Sequence, residues 1–172
     1  AQPGVMYASS TSSTVGQLYS LNTATGTATP IGSLGVLRID GLAIRPSTKE
    51  LYGVQAGATT TQLYRVSAPY GDALFARTIP LPNLRAITFG GGDTLWGATT
   101  GGILYRINVT TGDTVRIGSS GLVYSGLAIS PTSRVMWASV RRNVIGSDNI
   151  YTVNRDSGTA TLIGTTGLGG MT

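Results

Sequence analysis

The sequence predicts an all-β fold, a four-bladed β-propeller with four antiparallel strands per blade. Three observations carry this expectation. Four short phrases recur in the same order along the 172 residues. Each phrase alternates and is rich in β-branched and aromatic residues, as strands are. Turn residues separate the phrases, and no segment holds an i, i+3, i+4 apolar period, so no helix is expected. Four strands at a period of roughly 40–45 residues is the spacing of a propeller blade. A sandwich of ordinary hairpins explains the strands but not their fixed order.

The first phrase is small-apolar-small-apolar: Gly41-Leu42-Ala43-Ile44, Ala86-Ile87-Thr88-Phe89 and Gly126-Leu127-Ala128-Ile129. The second sets an apolar residue before an aromatic and a small one, at Met6-Tyr7-Ala8, Leu51-Tyr52-Gly53, Leu95-Trp96-Gly97 and Met136-Trp137-Ala138. The third is again apolar-aromatic, at Leu18-Tyr19, Leu63-Tyr64, Leu104-Tyr105 and Ile150-Tyr151. The fourth ends on an apolar residue and a turn former, at Ile31-Gly32, Ile79-Pro80, Ile117-Gly118 and Ile163-Gly164. Between the third and fourth lie Asn22 to Gly26, Asn108 to Gly112 and Asn154 to Gly158, with Ser67 to Gly71 as the variant. Asn bonds its own backbone two residues on, and Gly supplies the positive φ that closes a short hairpin loop. Pro46-Ser47-Thr48, Gly90 to Asp93 and Pro131-Thr132-Ser133 mark the turns between the first and second phrases.

The order of phrases predicts how the ring closes. The chain opens on the second phrase, at Val5-Met6-Tyr7, and ends on Gly169-Gly170-Met171-Thr172, which matches the start of the first. The C-terminal residues are therefore expected to supply the innermost strand of the N-terminal blade. Blade 1 is then 4–34 plus 168–172, blade 2 is 40–82, blade 3 is 84–119 and blade 4 is 125–166. Val5, Met6, Tyr7, Gly170, Met171 and Thr172 become the closure residues. The same edge would accept the terminal strand of another molecule. Reciprocal exchange gives a closed dimer or ring, and head-to-tail exchange gives a filament.

These phrases, with Gly-Leu-Ala-Ile-x-Pro at 41–46, Leu-Tyr-Gly at 51–53 and Leu-Tyr-x-x-Asn-x-x-x-Gly at 18–26, resemble bacterial extracellular propeller repeats of the NHL and YVTN kind. The resemblance covers nearly the whole chain. It implies a scaffold that binds partners and, in some members, an enzyme.

Composition bounds the function. Charged residues are only 11%, so the polar surface is mostly Thr, Ser, Gly and Asn. The net charge of +5 comes almost wholly from Arg, spread along the chain with one pair at Arg141-Arg142; Lys49 is the single lysine. Nucleic-acid binders cluster their basic residues beside aromatics, and arginines spread along the chain argue against that role. Arg141-Arg142 reads as a solvated loop, with an acidic partner as the alternative. No apolar run is long enough to span a membrane. The low charge, the many Thr and Ser, and the start Ala1-Gln2-Pro3 point to an extracellular or cell-surface location. Asn108-Val109-Thr110 is an N-glycosylation sequon in a host that glycosylates.

Candidate sites follow from the repeat. Asp40, Arg85, Ser125 and Gly169 precede the innermost strands and are expected to ring one mouth of the axis. Asp40 and Arg85 could pair there as a structural plug, or hold a small polar ligand. Tyr7, Tyr52, Trp96 and Trp137, like Tyr19, Tyr64, Tyr105 and Tyr151, recur once per blade and read as inter-blade packing. Tyr70 and Tyr124 stand outside that scheme, are expected in loops, and are further ligand candidates. With no His there is no imidazole base and no Ser-His-Asp triad. With no Cys there is no thiolate metal site, and the seven acids show no calcium-loop spacing. Asp93, Asp113 and Asp156 read as turn formers. No cofactor and no metal are expected. The leading expectation is a secreted, non-enzymatic structural or protein-interaction module, able to self-assemble by terminal-strand exchange, whose partner is a protein or a copy of itself. A carbohydrate-binding, lectin-like module is the alternative, and a hydrolase-type enzyme the third.

Overall fold

The computed structural model describes residues 5–10, 14–140 and 148–167, and fifteen strands run through them. Blade 1 contains β1 (Met6–Ser9), β2 (Gln17–Leu21) and β3 (Ala28–Ser33). Blade 2 contains β4 (Gly41–Ile44), β5 (Leu51–Ala56), β6 (Thr61–Val66) and β7 (Ala73–Ile79). Blade 3 contains β8 (Leu84–Phe89), β9 (Leu95–Thr99), β10 (Ile103–Ile107) and β11 (Thr114–Ser119). Blade 4 contains β12 (Tyr124–Ile129), β13 (Met136–Val140), β14 (Asn149–Val153) and β15 (Ala160–Thr165). Within each sheet the strands lie in sequence order and every pairing is antiparallel. The sheets pack face to face around a ring, with β8 against both β4 and β12 and β1 against β4. This is the four-bladed propeller. The only helical segment among the described residues is a single 3-10 turn, Gly91–Asp93, between β8 and β9.

The hairpin loops form as their chemistry requires. The Oδ1 of Asn22 accepts from the N–H groups of Ala24 and Thr25, at 2.9 and 3.2 Å. Asn108 does the same with Thr110 and Thr111, and Asn154 with Asp156 and Ser157. Gly26, Gly71, Gly112 and Gly158 close these loops at φ between 74° and 91° for the first three and 73° for the last. The Asn108 amide of the sequon is thus already engaged in its own turn.

One assignment moves. In blade 2 the fourth strand is displaced relative to its phrase. Leu18, Leu104 and Ile150 pair with Gly32, Gly118 and Gly164, whereas Leu63 pairs with Arg77. Ile79 therefore lies beyond the position of Ile31 and Ile117, opposite Thr61. A bulge at Leu63/Tyr64 is shared by the equivalent pairs of the other blades, so the shift is one of sequence spacing, not of geometry.

The hydrophobic core is divided among the joints between blades. One cluster joins blades 1 and 2 (Leu18, Leu34, Leu51, Tyr64, Val66). A second joins blades 2 and 3 (Val54, Leu63, Phe89, Leu95, Ile107), with Tyr52 edge-on to Phe89 at 5.4 Å. A third joins blades 3 and 4 (Trp96, Leu104, Met136, Val153). Each sheet therefore has a backward face and a forward face. Leu51, Leu95 and Met136 look back to the preceding blade; Tyr52, Trp96, Leu63 and Leu104 look forward. The same alternation along a strand sorts every residue of the repeat.

Candidate functional site

Two cavities, of about 730 and 690 Å³, lie along the axis and share Tyr7, Leu42, Ile87 and Leu127. Leu42, Ile87 and Leu127 come from the middle of β4, β8 and β12, so the two cavities meet as one axial space. Its two ends differ. One is apolar, bounded by Met6, Ile44, Phe89 and Ile129, with Arg134 at its edge. The other is polar and holds Asp40, Arg85 and Ser125, together with Thr100 and Tyr124.

The sequence-derived mouth residues are thus gathered in one place, but not in the arrangement expected. Asp40 does not pair with Arg85. It is taken by Arg38, at 3.2 Å, and also accepts the Ala56 N–H at 2.8 Å. In an extended chain residues two apart share a face, so Arg38 reaches Asp40 without crossing to another blade. Arg38 also donates to the Ala56 carbonyl, at 3.0 Å, which ties the entry of β4 to the end of β5. Arg85 is exposed at the mouth with no ion pair among the described residues. Ser125 Oγ lies 3.1 Å from Ser139 Oγ and so bonds within its own blade.

Tyr124 is the second correction. It is not in a loop: it opens β12 and is almost wholly buried. It occupies the position of Ile39 and Leu84, each one residue before a mouth residue and each buried. Bulges at Leu84/Ala86 and Tyr124/Gly126 turn Arg85 and Ser125 outward while the preceding side chain stays in the core. Burial raises the Tyr124 phenol pKa, opposed in part by Ser120. A bulky apolar residue two places before the small residue of the first phrase was the available signal. Tyr70 is in a loop, as expected, and is 77% exposed.

Asp93 does more than form a turn. It sits at φ 59°, accepts from the Ser47 N–H at 3.1 Å and from the Ser47 hydroxyl, and pairs with Arg45 at 3.1 Å. Ser47 and Arg45 belong to blade 2, so this is a polar clamp across the joint between blades 2 and 3. The Ser47 hydroxyl, with Arg45 adding to it, holds the Asp93 carboxyl below its ordinary pKa. The Thr48 hydroxyl first, then Arg65, does the same for Glu50. Among the described residues no group of three or more acids gathers where a metal could bind.

The recurring aromatics pack between blades in three cases and not in the fourth. Tyr52 and Trp96 are buried on forward faces, and Arg155 of blade 4 lies 5.9 Å over the Trp96 ring. Trp137, their equivalent on blade 4, is 37% exposed. The same break appears at other positions of the repeat on that side. Met6 on the backward face of blade 1 is 53% exposed, whereas Leu51, Leu95 and Met136 are buried. Ile163 on the forward face of blade 4 is 56% exposed, whereas Ile31 and Ile117 pack against their neighbours. Ala128 is exposed where Ala43 and Thr88 are buried, and Ile150 is less buried than Leu18, Leu63 and Leu104.

Glycine contacts show the same thing in the backbone. A methyl group on Gly32 would fall on the Tyr70 carbonyl of blade 2, and one on Gly118 would fall on the Ser157 carbonyl of blade 4. From the other side, a methyl on Gly71 would lie 2.6 Å from Gly32, one on Gly112 would lie 2.7 Å from Arg77, and one on Gly158 would lie 2.7 Å from Gly118. Three joints thus nest the hairpin loop of one blade onto the outer strand of the blade before it. Gly164 and Gly26 stand at the equivalent positions of blades 4 and 1, and among the described residues nothing lies within 4 Å of a Cβ at either. The expected closure residues Gly169, Gly170, Met171 and Thr172, and the pair Arg141-Arg142, lie outside the described residues.

No protein-family pattern matches this chain, and no curated protein matches it. Solved structures do. A chain of the nidogen/laminin complex aligns with a TM-score of 0.68 at 18% identity, over 96% of this chain and 64% of its own. A luciferin-regenerating enzyme aligns at 0.56 and 17% identity, over 99% and 62%. Virginiamycin B lyase from Staphylococcus aureus aligns at 0.53 and 16% identity, over 94% and 56%. At these identities the likeness is one of fold. This chain spans less than two thirds of the length of each.

Proposed function

We propose that this chain is a secreted, non-enzymatic propeller that works as a structural or protein-interaction module, in the manner of the bacterial extracellular repeat proteins its phrases resemble. One observation carries the reading: large apolar side chains stand uncovered on the forward face of blade 4 and the backward face of blade 1, in positions the fold buries elsewhere. Exposed apolar area of this regular kind marks a surface made to be covered. Asp40, Glu50 and Asp93 are each tied up in ion pairs or hydrogen bonds, which supports a non-catalytic role. Nidogen/laminin is a propeller-containing protein complex, which supports the same reading by analogy of fold alone.

The test is in-situ cross-linking in the native source, wild type against Ile163→Asp, on the extracellular and cellular fractions separately. Cross-links to protein that vanish in the variant are expected, in the extracellular fraction. Retention in the cell overturns the secreted part, and cross-links unchanged by the variant overturn the role of this face.

A second reading, a small polar ligand or glycan held at the polar mouth, is favoured by Arg85, which stands there without an ion pair among the described residues. A glycan array decides it: binding lost in Arg85→Ala would establish this reading in place of the first.

A further inference from the structure

The partner that the uncovered faces fit can be read from the chain itself. The forward face of a blade and the backward face of the next are complementary three times over. The outer-strand glycine or Arg77 receives the loop glycine; the forward Leu18, Leu63 or Leu104 and aromatic residue meet the backward Leu51, Leu95 or Met136. Among the described residues, the forward face of blade 4, with Trp137, Ile150, Ile163 and Gly164, meets no such counterpart. Blade 1 carries an unused backward face, with Met6, Leu21 and the loop ending at Gly26. Among the described residues nothing lies within 4 Å of a Cβ placed at Gly164 or Gly26, and Met6 and Ala128 line the apolar cavity instead of each other's cores. The chain's low charge weakens repulsion between molecules.

We propose that blade 4 of one chain docks on blade 1 of a second copy, remaking between molecules the joint that the chain makes three times within itself. This rests on the interaction-module reading and names its partner. The contact is heterologous, one face against a different face, so it propagates unless the rotation closes a ring.

The experiment uses two single-face variants. Gly164→Val fills the forward half: among the described residues nothing lies within 4 Å of its Cβ position, so the fold tolerates it, yet it places side chain where the joints at Gly32 and Gly118 have none. Met6→Glu charges the backward half. Ile163→Asp is the reserve for the first, and circular dichroism with thermal unfolding confirms that each is folded. Sedimentation velocity over a hundredfold concentration range is the readout. Wild type is expected to rise above the 17.7 kDa of one chain as concentration rises, and each variant to stay there. Mixed one to one, the variants are expected to form a species of two chains and no more, because one intact joint remains per pair. Wild type that stays at one chain throughout overturns the proposal and shows that the chain's own residues fill the gap. Assembly that either variant leaves intact, or that mixing fails to restore, overturns the blade 4 to blade 1 contact. In that last case the interaction-module reading still stands.

Discussion

The joint between blades 3 and 4 and the facing surfaces of blades 4 and 1 are written in the same residues and end in opposite states. Trp96, Leu104, Ile117 and Gly118 lie against blade 4. Trp137, Ile150, Ile163 and Gly164, one repeat later, do not lie against anything comparable among the described residues. A repeat therefore encodes complementarity, and burial is conferred by whichever neighbour is present. That is the one-dimensional energetics of stacked repeats, in which stability is a sum of unit and nearest-neighbour terms.

Four measurements test how far these two joints differ. The largest effect is expected from core truncation. Leu104→Ala removes a fully buried side chain and should cost about 3–4 kcal/mol in denaturant unfolding, whereas Ile150→Ala should cost about half as much. Equal losses would mean that the fourth joint is as well packed as the third. Next, Gly118→Val drives a side chain into the backbone of blade 4 and should cost about 2–3 kcal/mol, while Gly164→Val should leave the unfolding midpoint of the monomer unchanged. Third, Asn108→Ala and Asn22→Ala should each cost about 1 kcal/mol, and by the same amount, because an Asx turn is local and indifferent to the joint beside it. A large difference between them would show that the loops respond to their neighbours.

The smallest effect is a pH dependence confined to the joint between blades 2 and 3. The Asp93 pKa is depressed in the folded chain, so its contribution is complete above the unfolded value of about 3.9 and is lost as pH falls through the lower folded value. Asp93→Asn should therefore lower the melting temperature slightly at pH 7, and that deficit should shrink as the pH is lowered. A deficit that persists in acid would assign the loss to shape instead of charge.

Much of this was legible in the sequence because it is repeated. The strand phrases, their order and the Asn-to-Gly loops each appear three or four times, and agreement among copies stands in for the structure. What was not legible was what occurs once. The outer strand of blade 2 carries Ile79-Pro80, which imitates the Ile-Gly of its siblings, and only the pairing of Leu63 with Arg77 reveals the offset. Arg77 then does with a side chain what glycine does elsewhere, and its guanidinium donates to the Thr111 carbonyl at 3.1 Å. At the polar mouth, the repeat puts Asp40 and Arg85 on adjacent blades, close enough in the sequence pattern to pair or to share a ligand. The nearer competitor, Arg38, is specific to blade 2. Tyr124 looks like a loop residue in the sequence because its column holds Ile39 and Leu84, which share no aromatic character with it. The uncovered face of blade 4 could not be read at all, since its residues are those of a buried face.

The strand order within each sheet has a kinetic consequence. Every pairing among the described strands joins neighbours in the chain, so these ladders can form from contacts of short sequence separation before any other blade exists. Opening should follow the same units. Amide hydrogens of β5, β6, β9 and β10, in blades flanked on both sides, are the expected slow exchangers in deuterium. Those of β1 and β15 should exchange first, and adding protein should slow them wherever a second molecule covers the terminal blades.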